Sequence, residues 1–128
     1  MNINKIVIHC SDTQNGREHT AEDIHRWHLE KGWSGIGYHY VIRIDGTVDR
    51  GRPEYWTGAH AKGHNTGSIG ICLIGRDSYS NKQWNALDSL VAKLQSKHGS
   101  LEIIGHNEIS EKTCPGFDVQ QWLTNGKL

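Results

Sequence analysis

Hydrophobic periodicity changes several times along this chain, and each change marks an element. Lys5 to Cys10 contains the unbroken apolar run Ile6-Val7-Ile8, the length and composition of a strand buried on both faces. Thr20 can cap a helix over 21–31, with Asp23 at its third position, Ile24, Trp27 and His28 at helical spacing, and Gly32 at its end. Ile36, Tyr38, Tyr40, Ile42 and Ile44 then alternate strictly, and Asp45-Gly46 supplies the residues of a tight hairpin turn into Thr47 to Arg50. Ser68 to Ile74 reads as a second central strand, closed by Gly75. Ser80 and Gln83 form a capping box, after which Trp84, Leu87, Leu90, Val91 and Leu94 share one face of a helix that Gly99 ends. A short strand from Leu101 to Ile104 follows. The last helix opens at Asp118 with Gln121, and Phe117 and Trp122 are placed as a hydrophobic staple across its start. This alternation predicts an α/β fold: one domain over 1–128, with a mixed central sheet flanked by about three helices. Strand order is not legible in it.

Composition narrows the partners. A chain of 128 residues suits one core. Lysine plus arginine and aspartate plus glutamate number 14 each, with no block of like charge, so the electrostatic footprint of a nucleic-acid or acidic-lipid binder is missing and neutral partners are favoured. No segment approaches about 18 consecutive apolar residues, which argues against membrane insertion. The start, Met1-Asn2-Ile3-Asn4-Lys5, lacks the pattern of a signal peptide, so cytoplasmic synthesis is expected. Cys10, Cys72 and Cys114 are odd in number and lie in dissimilar contexts, which favours reduced thiols. Cys72 and Cys10 read as core residues.

Three positions far apart carry the chemistry. His9 closes the first strand, His106 follows the strand Leu101 to Ile104, and Cys114 sits in a Cys114-Pro115-Gly116 turn that would aim its sulfur sharply back. Two imidazoles and a thiolate are zinc donors. Three protein ligands with one position left open form the catalytic arrangement, whereas structural zinc takes four, and the set therefore points to a hydrolase. His60, Lys62, His64 and Asn65 lie in a glycine-punctuated polar loop, the usual setting for binding groups. His19, His25, His28 and His98 belong to no motif and read as surface or helix-packing residues; Trp84 and Trp122 read as core, and Trp56 as a residue able to stack on sugar or peptide.

Ile8-His9-Cys10-Ser11, Gly37-Tyr38-His39-Tyr40, Gly58-Ala59-His60-Ala61-Lys62-Gly63-His64-Asn65, Ser68-Ile69-Gly70-Ile71 and Lys112-Thr113-Cys114-Pro115-Gly116-Phe117-Asp118 run in order over about residues 6 to 122. They resemble the type 2 N-acetylmuramoyl-L-alanine amidases, most of all the zinc amidase lysozymes of T-odd coliphages, relatives of the peptidoglycan recognition proteins. The resemblance implies one Zn2+ per chain on His9, His106 and Cys114, catalytic assistance from Tyr38 and Lys112, and substrate contacts from His60 and Asn65. It implies cleavage of the amide between N-acetylmuramic acid and L-alanine in peptidoglycan or muropeptides by a phage or prophage endolysin, a monomer reaching the periplasm or cell wall after holin-type release. Those lysozymes carry a longer N-terminal arm used in one case to inhibit the phage RNA polymerase; here the first strand starts almost at Met1, so polymerase inhibition is not expected.

Lys112 precedes Cys114 by two residues, near enough for its ammonium to face an oxyanion, and the Tyr38 hydroxyl suits holding a water or passing a proton. Sequence leaves open which of the two transfers the proton. Three other classes compete: a peptidoglycan-binding module without catalysis, against which Cys114 weighs; a cysteine hydrolase using Cys10 or Cys114, which lacks an adjacent base; and a structural zinc protein with Asp118 as fourth ligand.

Overall fold

Strand β1, Lys5–Cys10, lies inside a five-stranded sheet, in a computed structural model that describes residues 2–125. The other elements are α1 (Ala21–Glu30), β2 (Tyr40–Ile42), β3 (Val48–Arg50), β4 (Ser68–Leu73), α2 (Asn81–His98), β5 (Glu102–Gly105), a 3-10 turn at His106–Glu108, and α3 (Val119–Thr124). The sheet order is β3-β2-β4-β1-β5. Only β2 and β3 pair antiparallel, so the sheet is mixed, with three helices around it.

Register assigns the faces. Val7 pairs with Gly70 and Ile104, and His9 with Cys72. Since side chains alternate along a strand, Lys5, Val7 and His9 share one face with Ser68, Gly70 and Cys72, while Ile6 and Ile8 share the other with Ile69, Ile71 and Leu73. The second face packs against Leu87, Leu90, Val91 and Leu94 of α2 and Val119 and Trp122 of α3. On the first face, Val41, Cys72 and Ile74 meet Ala21 and Ile24 of α1. Both faces of β1 and β4 are thus covered, which is why their sequences are apolar without alternation.

The helix starts follow the local signals. Thr20 Oγ1 accepts the Asp23 N–H at 3.2 Å while Asp23 Oδ2 accepts the Thr20 N–H at 3.1 Å. Ser80 and Gln83 reciprocate in the same way before α2. Asp118 Oδ1 accepts the Gln121 N–H at 3.1 Å at the start of α3. The staple holds, with Phe117 and Trp122 ring centroids 6.4 Å apart, and Phe117 lies 4.8 Å from Trp84 of α2 as well.

The stretch 36–44 departs from the expected strand. Its regular part is only Tyr40–Ile42. Tyr40 and Ile42 pack on the α2 face, but Ile36, Tyr38 and Ile44 belong to the α1 face, so the strict alternation does not describe one side of a sheet. Within this stretch Gly37 packs closely on the next loop: an added Cβ would lie 2.1 Å from the Ala59 carbonyl oxygen, and the Gly37 carbonyl accepts the Ala59 N–H at 3.0 Å. The hairpin turn also holds one more residue than Asp45-Gly46: Arg43 N–H donates to Thr47 O at 2.9 Å across Ile44, Asp45 and Gly46, with Gly46 at φ +88° as a three-residue turn of this kind requires.

Candidate metal centre and cleft

The donors gather at the carboxyl ends of two neighbouring parallel strands, where open α/β sheets place their ligands. Ile8 of β1 pairs with Gly105 of β5, so His9 and His106 emerge side by side, ring centroids 4.5 Å apart. Cys114 arrives on a turn closed by Gly116 N–H to Thr113 O at 2.7 Å, with a cis Cys114–Pro115 bond and Gly116 at φ +83°. Tyr79 donates its hydroxyl to Pro115 O at 2.5 Å, tying that turn to the start of α2. One ligand atom from each of His9, His106 and Cys114 can be chosen so that all lie within 4.8 Å of one another. Asp118 is not in that group; its carboxylate caps α3, which leaves three ligands rather than a closed set of four.

The residues fit a zinc ion. His9 is fully buried, and its Nδ1 is a buried polar atom with no hydrogen-bond partner among the described residues, as suits a nitrogen that binds a cation. Burial first, then the cost of adding a charge beside His60, His106 and Lys112, holds His9 well below the usual imidazole range. Burial and Lys112 lower His106 too. Both rings are thereby kept neutral, the form that binds metal.

A cleft of about 580 Å³ opens over this group, walled by His28, Trp33, Tyr38, His60 and Lys112. Tyr38 stands 5.1 Å from His9, ring to ring. Burial, reinforced by the thiols of Cys72, Cys114 and Cys10, raises its phenol well above the ordinary value, so it keeps its proton. Lys112 also lines the cleft and is exposed. The cleft's carboxylate, Asp12, is exposed and accepts from Arg76 Nε at 2.8 Å.

Of the loop residues, His60 lines the cleft and Asn65 braces the loop. His60 reaches the cleft, but its two ring nitrogens face protein atoms: Nδ1 lies 2.9 Å from His9 Nε2 and Nε2 lies 3.1 Å from Ser68 Oγ. Asn65 Oδ1 accepts both the His60 and Ala61 N–H groups at 2.9 Å, so it shapes the loop that carries His60. Trp56, exposed, lines a different cavity with Glu22, His25 and Arg52. His28 was legible only as a packing residue, yet it walls the cleft and its Nδ1 accepts the Gly37 N–H at 3.0 Å, beside Tyr38. His25 does the same for the Ile36 N–H at 3.0 Å. The i, i+3 spacing of His25 and His28 on one helix was the available signal.

Relatives share this arrangement of the chain. The sequence is similar to the endolysin of Escherichia phage T7, 37% identical over 131 residues that cover 96% of this chain and 87% of that protein. It is 35% identical to the endolysin of Enterobacteria phage K11, covering 97% of this chain and 87% of the relative. Among solved structures, the N-acetylmuramoyl-L-alanine amidase LysC from Clostridium intestinale superposes with a TM-score of 0.86 at 34% identity, covering 98% of this chain and 86% of that one. Bumblebee PGRP-SA superposes with a TM-score of 0.85 at 31% identity, over 98% of this chain and 82% of its own. Residues 1–117 match the family Amidase_2, N-acetylmuramoyl-L-alanine amidase, and with nearly the whole chain covered the protein belongs to that family.

Proposed function

We propose that this amidase is zinc-dependent and acts as a phage-type endolysin, cutting the lactyl amide between N-acetylmuramic acid and L-alanine. The observation that carries the reading is the meeting of His9, His106 and Cys114 in one open cleft, with the His9 Nδ1 buried and unpartnered. When bound, zinc supplies Lewis acidity, activating a water and polarising the scissile carbonyl.

The chain's own groups supply the remainder. Tyr38, protonated and packed against His9, is suited to donate a hydrogen bond to the substrate or pass it a proton. Lys112, on the cleft wall, is suited to offer its positive charge to the oxygen on which negative charge develops. Asp12, paired with Arg76 and exposed, is poorly placed to serve as a general base. The substrate is then peptidoglycan or a muropeptide bound by one copy of the chain, which is made in the cytoplasm and reaches the wall by holin-type release. Among the described residues no helix is long and apolar enough to cross a membrane.

Digestion of purified peptidoglycan tests the reading. Free N-terminal L-alanine should appear without new sugar reducing ends, stop with a chelator and resume with zinc. New reducing ends would overturn the bond assignment. Chelator-resistant activity lost to a thiol alkylator would overturn the metal and favour a cysteine hydrolase.

A further inference from the structure

The proton positions around His60 follow from atoms that have no choice. The carbonyl oxygens of His64 and Asn65 can only accept, and Ser68 Oγ lies 2.7 Å and 3.0 Å from them, so its single hydrogen is committed there. Ser68 Oγ therefore meets His60 Nε2, 3.1 Å away, with a lone pair, and His60 must carry its proton on Nε2. A second proton on His60 would bury a charge, for the ring is 9% exposed and its neighbours are His9, His39, Ser68 and backbone, with no carboxylate among them. Nδ1 of His60 is then bare and accepts, so His9 Nε2, 2.9 Å away, must donate. His9 is left with an unprotonated Nδ1, the buried atom that has no partner.

The fold builds a slot for this ring. A Cβ on Gly70 would lie 2.5 Å from His60 Cγ, and one on Gly58 would lie 2.6 Å from His60 Cδ2, so both flanking positions exclude any side chain. Ser68 and Gly70, two apart on β4, share the sheet face that bears His9, while Asn65 holds the His60 backbone from the loop side.

We propose that Ser68 and His60 are positioning residues that fix the tautomer of His9, presenting the Nδ1 lone pair rather than an N–H to the metal. The inference rests on the zinc reading. It concerns the polarity of a three-residue relay, Ser68 to His60 to His9, which neither touches the scissile bond nor ligates the ion through Ser68 or His60. Outer partners of metal-bound imidazoles generally change affinity by about 10- to 100-fold.

The test uses the full chain and two readouts: zinc affinity by competition with a chromophoric chelator, and the His9 tautomer in the metal-free protein from long-range 15N–1H imidazole correlations. Ser68→Ala and His60→Ala should weaken zinc by about 10- to 100-fold and populate the Nδ1–H form of His9. His60→Gln retains an acceptor for His9 and a donor for Ser68, and should recover zinc affinity to within several-fold of the parent. A merely structural role would lower the melting temperature but leave the His9 tautomer unchanged. If His60→Ala does not fold, Ser68→Ala and His60→Gln decide. Zinc bound by Ser68→Ala as tightly as by the parent, with His9 still in its Nε2–H form, overturns the relay alone. A parent protein that binds no zinc overturns the metal reading and the relay with it.

Discussion

The backbone N–H of Cys10 donates to the Sγ of Cys114 at 3.1 Å, joining positions 104 residues apart. The neighbouring Cys10 thiol and then burial push the Cys114 thiol up while this N–H pulls it down, so a thiolate there calls for the field of a bound cation. Cys114→Ser should therefore lose stoichiometric zinc while remaining folded, because a serine hydroxyl does not ionise to replace the thiolate. Metal analysis after dialysis and far-UV circular dichroism check both halves; full zinc and full activity in the variant would show that Cys114 is not a ligand.

Tyr38 and Lys112 face the cleft without belonging to the ligand group. Tyr38→Phe and Lys112→Ala should each lower kcat by about 100-fold, the scale for losing a positioned proton donor or an oxyanion partner, with zinc retained. Steady-state turnover on muropeptide, read beside metal content, separates the cases. Normal turnover removes the residue from the chemistry, and lost metal makes it structural.

Acid should loosen the fold through two histidines away from the metal ligands. His28 Nδ1 accepts the Gly37 N–H and His39 Nδ1 accepts the Gly70 N–H, each at 3.0 Å, and neither bond survives protonation of the accepting nitrogen. Burial first, then nearby Lys31, Arg52 and His25, pull His28 down to about 4, and burial lowers His39. Above the ordinary value of 6.5 both rings are neutral folded or unfolded, so this stability is fully present. Below it the unfolded chain takes up protons that the folded one refuses, and stability falls by roughly 1.4 kcal/mol per pH unit per histidine until the folded pKa is passed. Urea midpoints should stay level from pH 8 to about pH 7 and drop steadily below about pH 6.5; a level midpoint down to pH 4.5 would refute it.

Ile71 is fully buried in β4 between β1 and β2 on the face covered by α2 and α3. Ile71→Ala should cost about 2–5 kcal/mol, from lost transfer energy and the cavity left behind. Chemical denaturation measures it, and a loss below about 1 kcal/mol would mean that the neighbouring helices collapse into the space.

Much of this fold was legible because its signals are local. Thr20 with Asp23 and Ser80 with Gln83 meet within one turn, and the apolar runs of β1 and β4 declare strands covered twice. The three candidate ligands, which the fold brings together, were legible as residue types placed at strand and turn ends. What sequence could not show depends on contacts between distant segments. Strand order is settled by which edges pair. The apparent alternation from Ile36 to Ile44 does not describe one sheet face, since Tyr40 and Ile42 pack toward α2 and Ile36, Tyr38 and Ile44 toward α1. That the His60 ring packs against His9 was not legible, because nothing local says that Gly58 and Gly70 make room for it.

The three donors come from the first strand, from the turn after the last strand, and from the turn before the final helix. No fragment of the chain holds all three, so an ion that binds them recognises only the finished topology. Such binding adds RT ln(1 + [L]/Kd) to the folded state alone, about 4 kcal/mol when free metal stands at 1,000 times Kd. That is a large share of a small domain's total stability. Metal scarcity would then shorten the protein's lifetime among proteases as well as silence its cleft.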